Sequence, residues 1–311
     1  MDRLALLFLL FILAPSAAKA ASCTFSVTTV NFGNVDALSG SPVDVTATLN
    51  VNCTNVFSGF VRVCPNLNAG SEGASSGIRQ MRYANKVLFY NLYQDAARTI
   101  RWGSAETPSL GSSPTFDFTT TLGGSVARSR TIYGRVMGSQ QGIGAGTYAT
   151  QFSGAQSRIV YSELPINCAT NTAGDFRRAT FAVQATVAPN CRVTAQNINF
   201  GTHGVLDSAK DAMGGVGVTC TPGIAYTVGL NNGLTGTSAS ARRMTLGSRF
   251  VNYGLYKDAA RTQPWGNSGS QQMTGSGAGA AQNLPVYGRI SPQSTPPAGT
   301  YSDTVVVTVT Y

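Results

Sequence analysis

Leu92-Tyr93-Gln94-Asp95-Ala96-Ala97-Arg98-Thr99, closed by Trp102-Gly103, returns as Leu255-Tyr256-Lys257-Asp258-Ala259-Ala260-Arg261-Thr262, closed by Trp265-Gly266. Working outward, the match extends in both directions. Upstream, Cys23, Asn31-Phe32-Gly33 and Cys53 are repeated by Cys191, Asn199-Phe200-Gly201 and Cys220. Downstream, Tyr133-Gly134-Arg135 and Ala145-Gly146-Thr147-Tyr148 are repeated by Tyr287-Gly288-Arg289 and Ala298-Gly299-Thr300-Tyr301. Blocks kept in one order at nearly one offset mean a single domain written twice. Each copy is about 130 to 150 residues, an ordinary domain size.

The copies read as β throughout. Segments 25–32, 43–51, 87–93 and 130–136 are short runs rich in β-branched and aromatic residues. Turn clusters such as Leu38-Ser39-Gly40-Ser41 and Gly123-Gly124-Ser125 separate them. The Tyr93 block reads as a hairpin, and no segment has the period of an amphipathic helix. Many short strands with regular turns predict an all-β fold, two tandem sandwich domains. The expected boundaries are a leader over 1–20, a first domain over 21–170, a linker with a candidate donor strand over 171–190 and a second domain over 191–311.

The leader expectation rests on Asp2-Arg3, the apolar run Leu4 to Leu13 and the small-residue site Ala18-Lys19-Ala20, with cleavage after Ala20. The apolar run is too short for a bilayer, which takes about 20 residues. Export permits disulfides. All six cysteines lie beyond the leader: Cys23, Cys53, Cys64, Cys168, Cys191 and Cys220. Six cysteines allow fifteen pairings. The duplication selects Cys23–Cys53 and the equivalent Cys191–Cys220, which leaves Cys64–Cys168.

Composition argues against several function classes. No Cys-x-x-Cys pair suits zinc, and His203 is the only histidine, so neither a metal site nor a Cys/His nucleophile is expected. Only 11% of residues are charged, with a net charge of +9. The basic residues are scattered in ones and twos, as at Arg128, Arg130, Arg177, Arg178, Arg242 and Arg243, without the clustering that nucleic-acid binding needs. Asp95 with Arg98, and Asp258 with Arg261, read as turn-forming pairs rather than as acid and base. Trp102 and Trp265 read as core residues. No catalytic residue, cofactor or enzyme activity is expected.

The domain ends carry the functional signal. Val305, Val307, Val309 and Tyr311 alternate with more polar neighbours, a strand with one buried face. No further strand follows to cover it, which predicts an edge open to pairing with another chain. A strand able to cover such an edge lies between the domains: Phe181, Val183, Ala185 and Val187 share one face of 180–187. It reads either as that strand or as the first strand of the second domain.

These motifs resemble the spore coat protein U domain family. The Asn-Phe-Gly, Leu-Tyr-x-Asp-Ala-Ala-Arg-Thr, Tyr-Gly-Arg and Ala-Gly-Thr-Tyr blocks carry the resemblance twice. It implies immunoglobulin-like, pilin-type sandwiches, the C-terminal one lacking its last strand, in archaic chaperone–usher pili of the Csu type. Pilins of this kind lend a strand, lying just before the first cysteine, to a neighbour. Residues 180–187 occupy that place relative to Cys191. Before Cys23 only Ala21 and Ser22 remain after cleavage, fewer than a strand needs. The resemblance therefore implies a subunit that accepts a strand without donating one: a tip adhesin, exported through the periplasm to the cell surface. Its implied partners are a periplasmic chaperone, an outer-membrane usher, the next pilus subunit and an abiotic or host surface, with biofilm formation as the outcome. Strand 180–187 would then close the first domain from within.

Val56, Phe57, Leu110, Leu122 and Ile143 fall in expected first-domain loops and are candidates for surface contact. The competing expectations are a non-tip pilus subunit and a structural spore or cell-coat protein.

Overall fold

The computed structural model describes residues 20–311, so the leader expectation for 1–19 lies outside it. In the first copy the strands are β1 (Ser22–Val27), β2 (Val30–Val35), β3 (Val43–Val56), β4 (Phe60–Leu67), β5 (Ala74–Ser75), β6 (Ile78–Tyr83) and β7 (Lys86–Tyr93). They continue as β8 (Phe116–Thr119), β9 (Gly124–Val136), β10 (Gly146–Phe152), β11 (Ser157–Ser162), β12 (Asp175–Arg178) and β13 (Phe181–Val187). The second copy contributes β14 (Cys191–Gln196), β15 (Lys210–Cys220), β16 (Ala225–Leu230), β17 (Arg242–Leu246), β18 (Arg249–Tyr256), β19 (Met273–Ser276), β20 (Gln282–Ile290) and β21 (Val307–Thr310). Short 3-10 turns supply the only helical residues described.

Period-2 burial decides which side of each strand faces the core. Along β3, Ala47, Leu49, Val51 and Cys53 are buried while Asp44, Thr46 and Asn50 lie outside that set. The main first-domain sheet runs β1-β3-β9-β7-β6-β10-β13-β2, with β5 beside β6, and a second sheet runs β12-β11-β4-β8. The main sheet curls until β2 faces β3 and β9. A Cβ on Gly134 would stand 3.0 Å from both the Phe32 ring and Val45, so glycine lets the layers meet there. The second domain has sheets β14-β15-β20-β18-β17 and β19-β16-β21. Each domain has its own apolar core, with Trp102 fully buried in the first and Trp265 in the second.

Within the segment 171–190, β12 and β13 belong to the two first-domain sheets. Three disulfides are formed, Cys23–Cys53, Cys64–Cys168 and Cys191–Cys220. The first and third join directly opposed residues of neighbouring strands. The second ties the segment after β11 against Val160 and Phe176.

The repeated turn is structural in both copies. The Asp95 carboxylate accepts from the backbone N–H of Thr99 and Ile100, at 3.0 and 2.8 Å, and from the Thr99 hydroxyl. The Ile100 N–H is the main reason its carboxyl titrates below the usual range. Asp258 repeats the pattern with Thr262 and Gln263. Arg98 and Arg261 adopt φ of 58° and 60°, which lets each guanidinium turn back to a strand carbonyl, Gly134 or Gly288.

One feature of both cores escaped the sequence reading. Arg79 is fully buried and donates to the carbonyls of Leu67, Asn68 and Trp102. Arg242 does the same to Leu230, Asn231 and Trp265. Burial lowers the Arg79 pKa to about 10, so it stays charged at neutral pH. The five fixed N–H groups of arginine suit a ring of carbonyls left over by irregular backbone. The repeated Arg-x-Met of Arg79-Gln80-Met81 and Arg242-Arg243-Met244 is the signal that could have revealed it.

Candidate functional site

The two copies differ at one groove. In the first domain β13 fills it. β13 runs antiparallel to β10, with Phe181, Val183, Ala185 and Val187 opposite Phe152, Thr150, Tyr148 and Gly146. Its other edge runs parallel to β2, with Val183 beside Val30 and Val187 beside Val35. Those four residues are 4, 0, 1 and 1% exposed, so their whole face is core. Burying each of the three larger ones is worth about 1.5–3 kcal/mol. Phe181 stacks on Phe152 at 4.6 Å between ring centroids.

The shared motifs locate the same groove in the second domain. Gly299 and Tyr301 correspond to Gly146 and Tyr148, so Asp303 and Val305 stand where Thr150 and Phe152 do. Ile198 and Phe200 stand for Val30 and Phe32. Here no strand of the described residues lies between the two walls. Residues 299–306 form no strand, and only Ser302 bridges, to Thr245. In place of a filling strand is a cavity of ≈ 370 Å³ lined by Ile198, Phe200, Met244, Tyr253, Leu255, Tyr301, Asp303, Val305 and Val307. Ile198, Phe200, Met244, Tyr301 and Val305 are half-buried. Their first-domain counterparts Val30, Phe32, Met81, Tyr148 and Phe152 are buried under β13.

Of the four residues expected along the groove edge, the first two lie at the groove and the last two do not. Val305 and Val307 line the cavity. Val307 also opens β21, opposite Leu230 of β16, and Val309 follows opposite Val228 without lining the cavity, while Tyr311 is 55% exposed. The chain crosses from one layer to the other between Ser302, which bridges to Thr245, and β21, which pairs with β16, so one alternating run serves two neighbours.

The groove floor carries a side-chain hydrogen bond. The Tyr253 hydroxyl donates to Asp303 Oδ2 at 2.7 Å. Burial, and then this bond and the carboxylate charge, raise the Tyr253 pKa. In the first domain the corresponding Tyr90 hydroxyl is buried without a partner.

A second feature lies on the first domain. Phe57, Leu122 and Leu164 are 52, 80 and 71% exposed. They sit on three adjoining turns: β3–β4, β8–β9 and the turn after β11. A Cβ on Gly59 would stand 3.6 Å from Leu122, and one on Gly123 4.0 Å from Phe57. Glu163 joins the third turn to the first by accepting from the Ser58 N–H at 2.7 Å. Three of the five loop candidates are not at the surface. Val56 and Leu110 are fully buried and Ile143 nearly so, which removes them as contact residues. Local sequence cannot distinguish a loop residue turned inward from one turned outward. Leu164 was missed for the same reason. The cluster lies at the Val56 end of β3. The turn before the Val43 end approaches the second domain, where Asp36 pairs with Arg192 at 2.9 Å. Fourteen residues of strand span about 43 Å.

Among the described residues no group of three His, Cys, Asp or Glu side chains could hold a metal ion, and no helix is long and apolar enough to cross a membrane.

The fold is thus all-β, two tandem immunoglobulin-like sandwiches of the pilin type, the second of them lacking a strand. The Spore Coat Protein U domain model matches residues 9–153 and again 177–308, and the chain belongs to that family. Protein U of Myxococcus xanthus is 33% identical over 127 residues, covering 37% of this chain and 71% of that protein. Among solved structures, the CsuC–CsuE chaperone–tip adhesion subunit pre-assembly complex, from archaic chaperone–usher Csu pili of Acinetobacter baumannii, aligns with a TM-score of 0.55. The identity is 19%, over 93% of this chain and 100% of that one. The CupB6 tip adhesin of Pseudomonas aeruginosa aligns at TM-score 0.40 and 10% identity, over 94% of this chain and 95% of that one.

Proposed function

We propose that the chain is the tip subunit of a chaperone–usher pilus, anchored through the open groove of its second domain and attaching through the first. One observation carries this reading: the same groove is filled by the chain's own β13 in the first domain and is open in the second. An open groove with an unpaired backbone edge is a socket for a strand from another chain. The first domain, already closed, has no such vacancy. β1, the first strand of the first domain, is already paired with β3 along Ser22–Val27 and is not free to be lent onward. A subunit that only accepts sits at a fibre end.

On this reading a periplasmic chaperone fills the groove first. The next subunit replaces it at the outer-membrane usher, and the finished chain is carried outward on the fibre. The exposed Phe57, Leu122 and Leu164 are the contact with an abiotic or host surface, and biofilm formation follows from that contact. The role is structural and adhesive, not enzymatic.

Gold-labelled antibody against the first domain tests the placement. One label at a fibre end is expected. Labelling along the shaft would establish a non-tip subunit instead, and labelling of a coat without fibres would establish a coat protein.

A further inference from the structure

We infer that Asp303 selects the strand that enters the second groove, requiring a residue with a side-chain hydrogen-bond donor opposite it. This rests on the strand-accepting reading of that groove and deepens it. The first domain supplies the template. There Thr150 lies directly opposite Val183, and opposed residues of an antiparallel pair point to the same face. The Thr150 hydroxyl is engaged by the β4–β5 loop, accepting from the Glu72 N–H, so an apolar valine suffices across from it.

At the equivalent place Asp303 presents a carboxylate. Its Oδ1 accepts from the Leu234 and Thr304 N–H groups, both at 2.8 Å. Its Oδ2 accepts from the Tyr253 hydroxyl. A carboxylate has about four acceptor sites, so one on Oδ2 is left, beside the groove that both residues line. The loop is shaped around the group: a Cβ on Gly233, at φ +78°, would overlap the carboxylate.

An open groove leaves that last site within reach of water, and a strand that closes the groove excludes it. Valine or leucine opposite Asp303 would leave a charged oxygen covered and unmatched, whereas a threonine, serine or asparagine satisfies it. The same feature disfavours the chain's own 180–187 strand as a filler for a second copy, since Val183 would face Asp303. A single carboxylate thus separates the strand for the first groove from the strand for the second.

Two labelled peptides decide the matter. One copies residues 179–189; the other carries Val183→Thr, which has nearly the same shape and adds a hydroxyl. Each is offered to the mature chain, residues 21–311, during refolding, and its dissociation constant is read by anisotropy. A chain with Val305→Arg, which obstructs the second groove, is the blank. The threonine peptide is expected to bind about ten- to a hundredfold tighter, and Asp303→Thr to erase the difference. Equal binding of the two peptides to the wild-type chain, or preference for valine, overturns this inference and leaves the strand-accepting reading intact. Binding of neither peptide overturns both.

Discussion

Phe181 lies flat on Phe152, with ring centroids 4.6 Å apart and planes 10° from parallel. The pair joins β13, from the segment between the domains, to β10 beside it in the main sheet, and it begins the row of four residues that closes that domain.

Phe181→Ala removes the stack and leaves a cavity in a fully packed site. A loss of about 3–5 kcal/mol is expected for the first domain. Each domain has one tryptophan, Trp102 or Trp265, so urea unfolding of single-tryptophan variants reads the domains separately. The Trp102 transition should fall to lower urea while the Trp265 transition stays in place. A shift shared equally by both would mean that β13 supports the whole chain rather than the first domain.

The buried arginines make a different kind of contact. Arg79→Leu leaves the carbonyls of Leu67, Asn68 and Trp102 without their donor, at a cost of at least about 3 kcal/mol. Arg79→Lys restores the charge but not the planar fork, so it should recover little of the loss. Arg242→Leu should repeat the effect in the second domain. Full rescue by lysine would show that charge, not geometry, matters at this site.

Much of this plan was legible from residues alone. The duplication was, because turn motifs tolerate few substitutes: Asp95 bonds three donors and Arg98 sits at positive φ. The alternation of 181–187 was legible because all four inward residues meet core on one face. What was not legible depended on distant chain. Val56 ends its strand under Gly124 of β9, and Ile143 folds onto the first core, so exposure could not be read from loop composition. β12 went unseen because Asp175-Phe176-Arg177-Arg178 has no alternation, and its arginines lie over aromatic rings of Phe176 and Tyr161. Asp303 passed as a polar neighbour of the valine run, because its role depends on Tyr253, 50 residues away.

Acid should weaken both domains through the same pair of aspartates. Asp44 is flanked by Arg98 and Arg135, and Asp211 by Arg261 and Arg289. Hydrogen bonds from Arg135 and Arg289, respectively, hold their carboxyls below the ordinary value. A carboxyl depressed in the folded state stabilises fully above its unfolded pKa, about 3.9, and loses that stabilisation as pH falls through its folded value. Melting temperature should therefore drop as pH is lowered below about 4. Asp44→Asn with Asp211→Asn should reduce that drop and lower the melting temperature at neutral pH. An unchanged acid slope would exclude these pairs as its source.

The Cys64–Cys168 bridge holds the segment that carries Glu163 and Leu164. Replacing both cysteines by serine removes a crosslink spanning 104 residues and should cost the first domain about 2–5 kcal/mol. Cleavage within 163–174 by a protease should become faster than in the wild type, while the second domain keeps its stability. Equal protection of that segment would mean that Val160, Ile166 and Phe176 hold it without the bridge.

On the proposed adhesive role, the exposed turns allow attachment to be separated from folding. Phe57 and Leu122 are 52 and 80% exposed, so replacing either with aspartate removes little buried area. Folding should change by less than about 0.5 kcal/mol, as for other surface substitutions. Attachment to an apolar surface depends on removing that same exposed carbon from water, and a carboxylate reverses the gain. Phe57→Asp with Leu122→Asp should therefore abolish attachment to polystyrene while leaving fibre length and number unchanged. Val56→Asp is the contrasting change: Val56 is fully buried, so a charge there should destroy the first domain. Retained attachment in the Phe57 and Leu122 variant would move the adhesive face away from these turns.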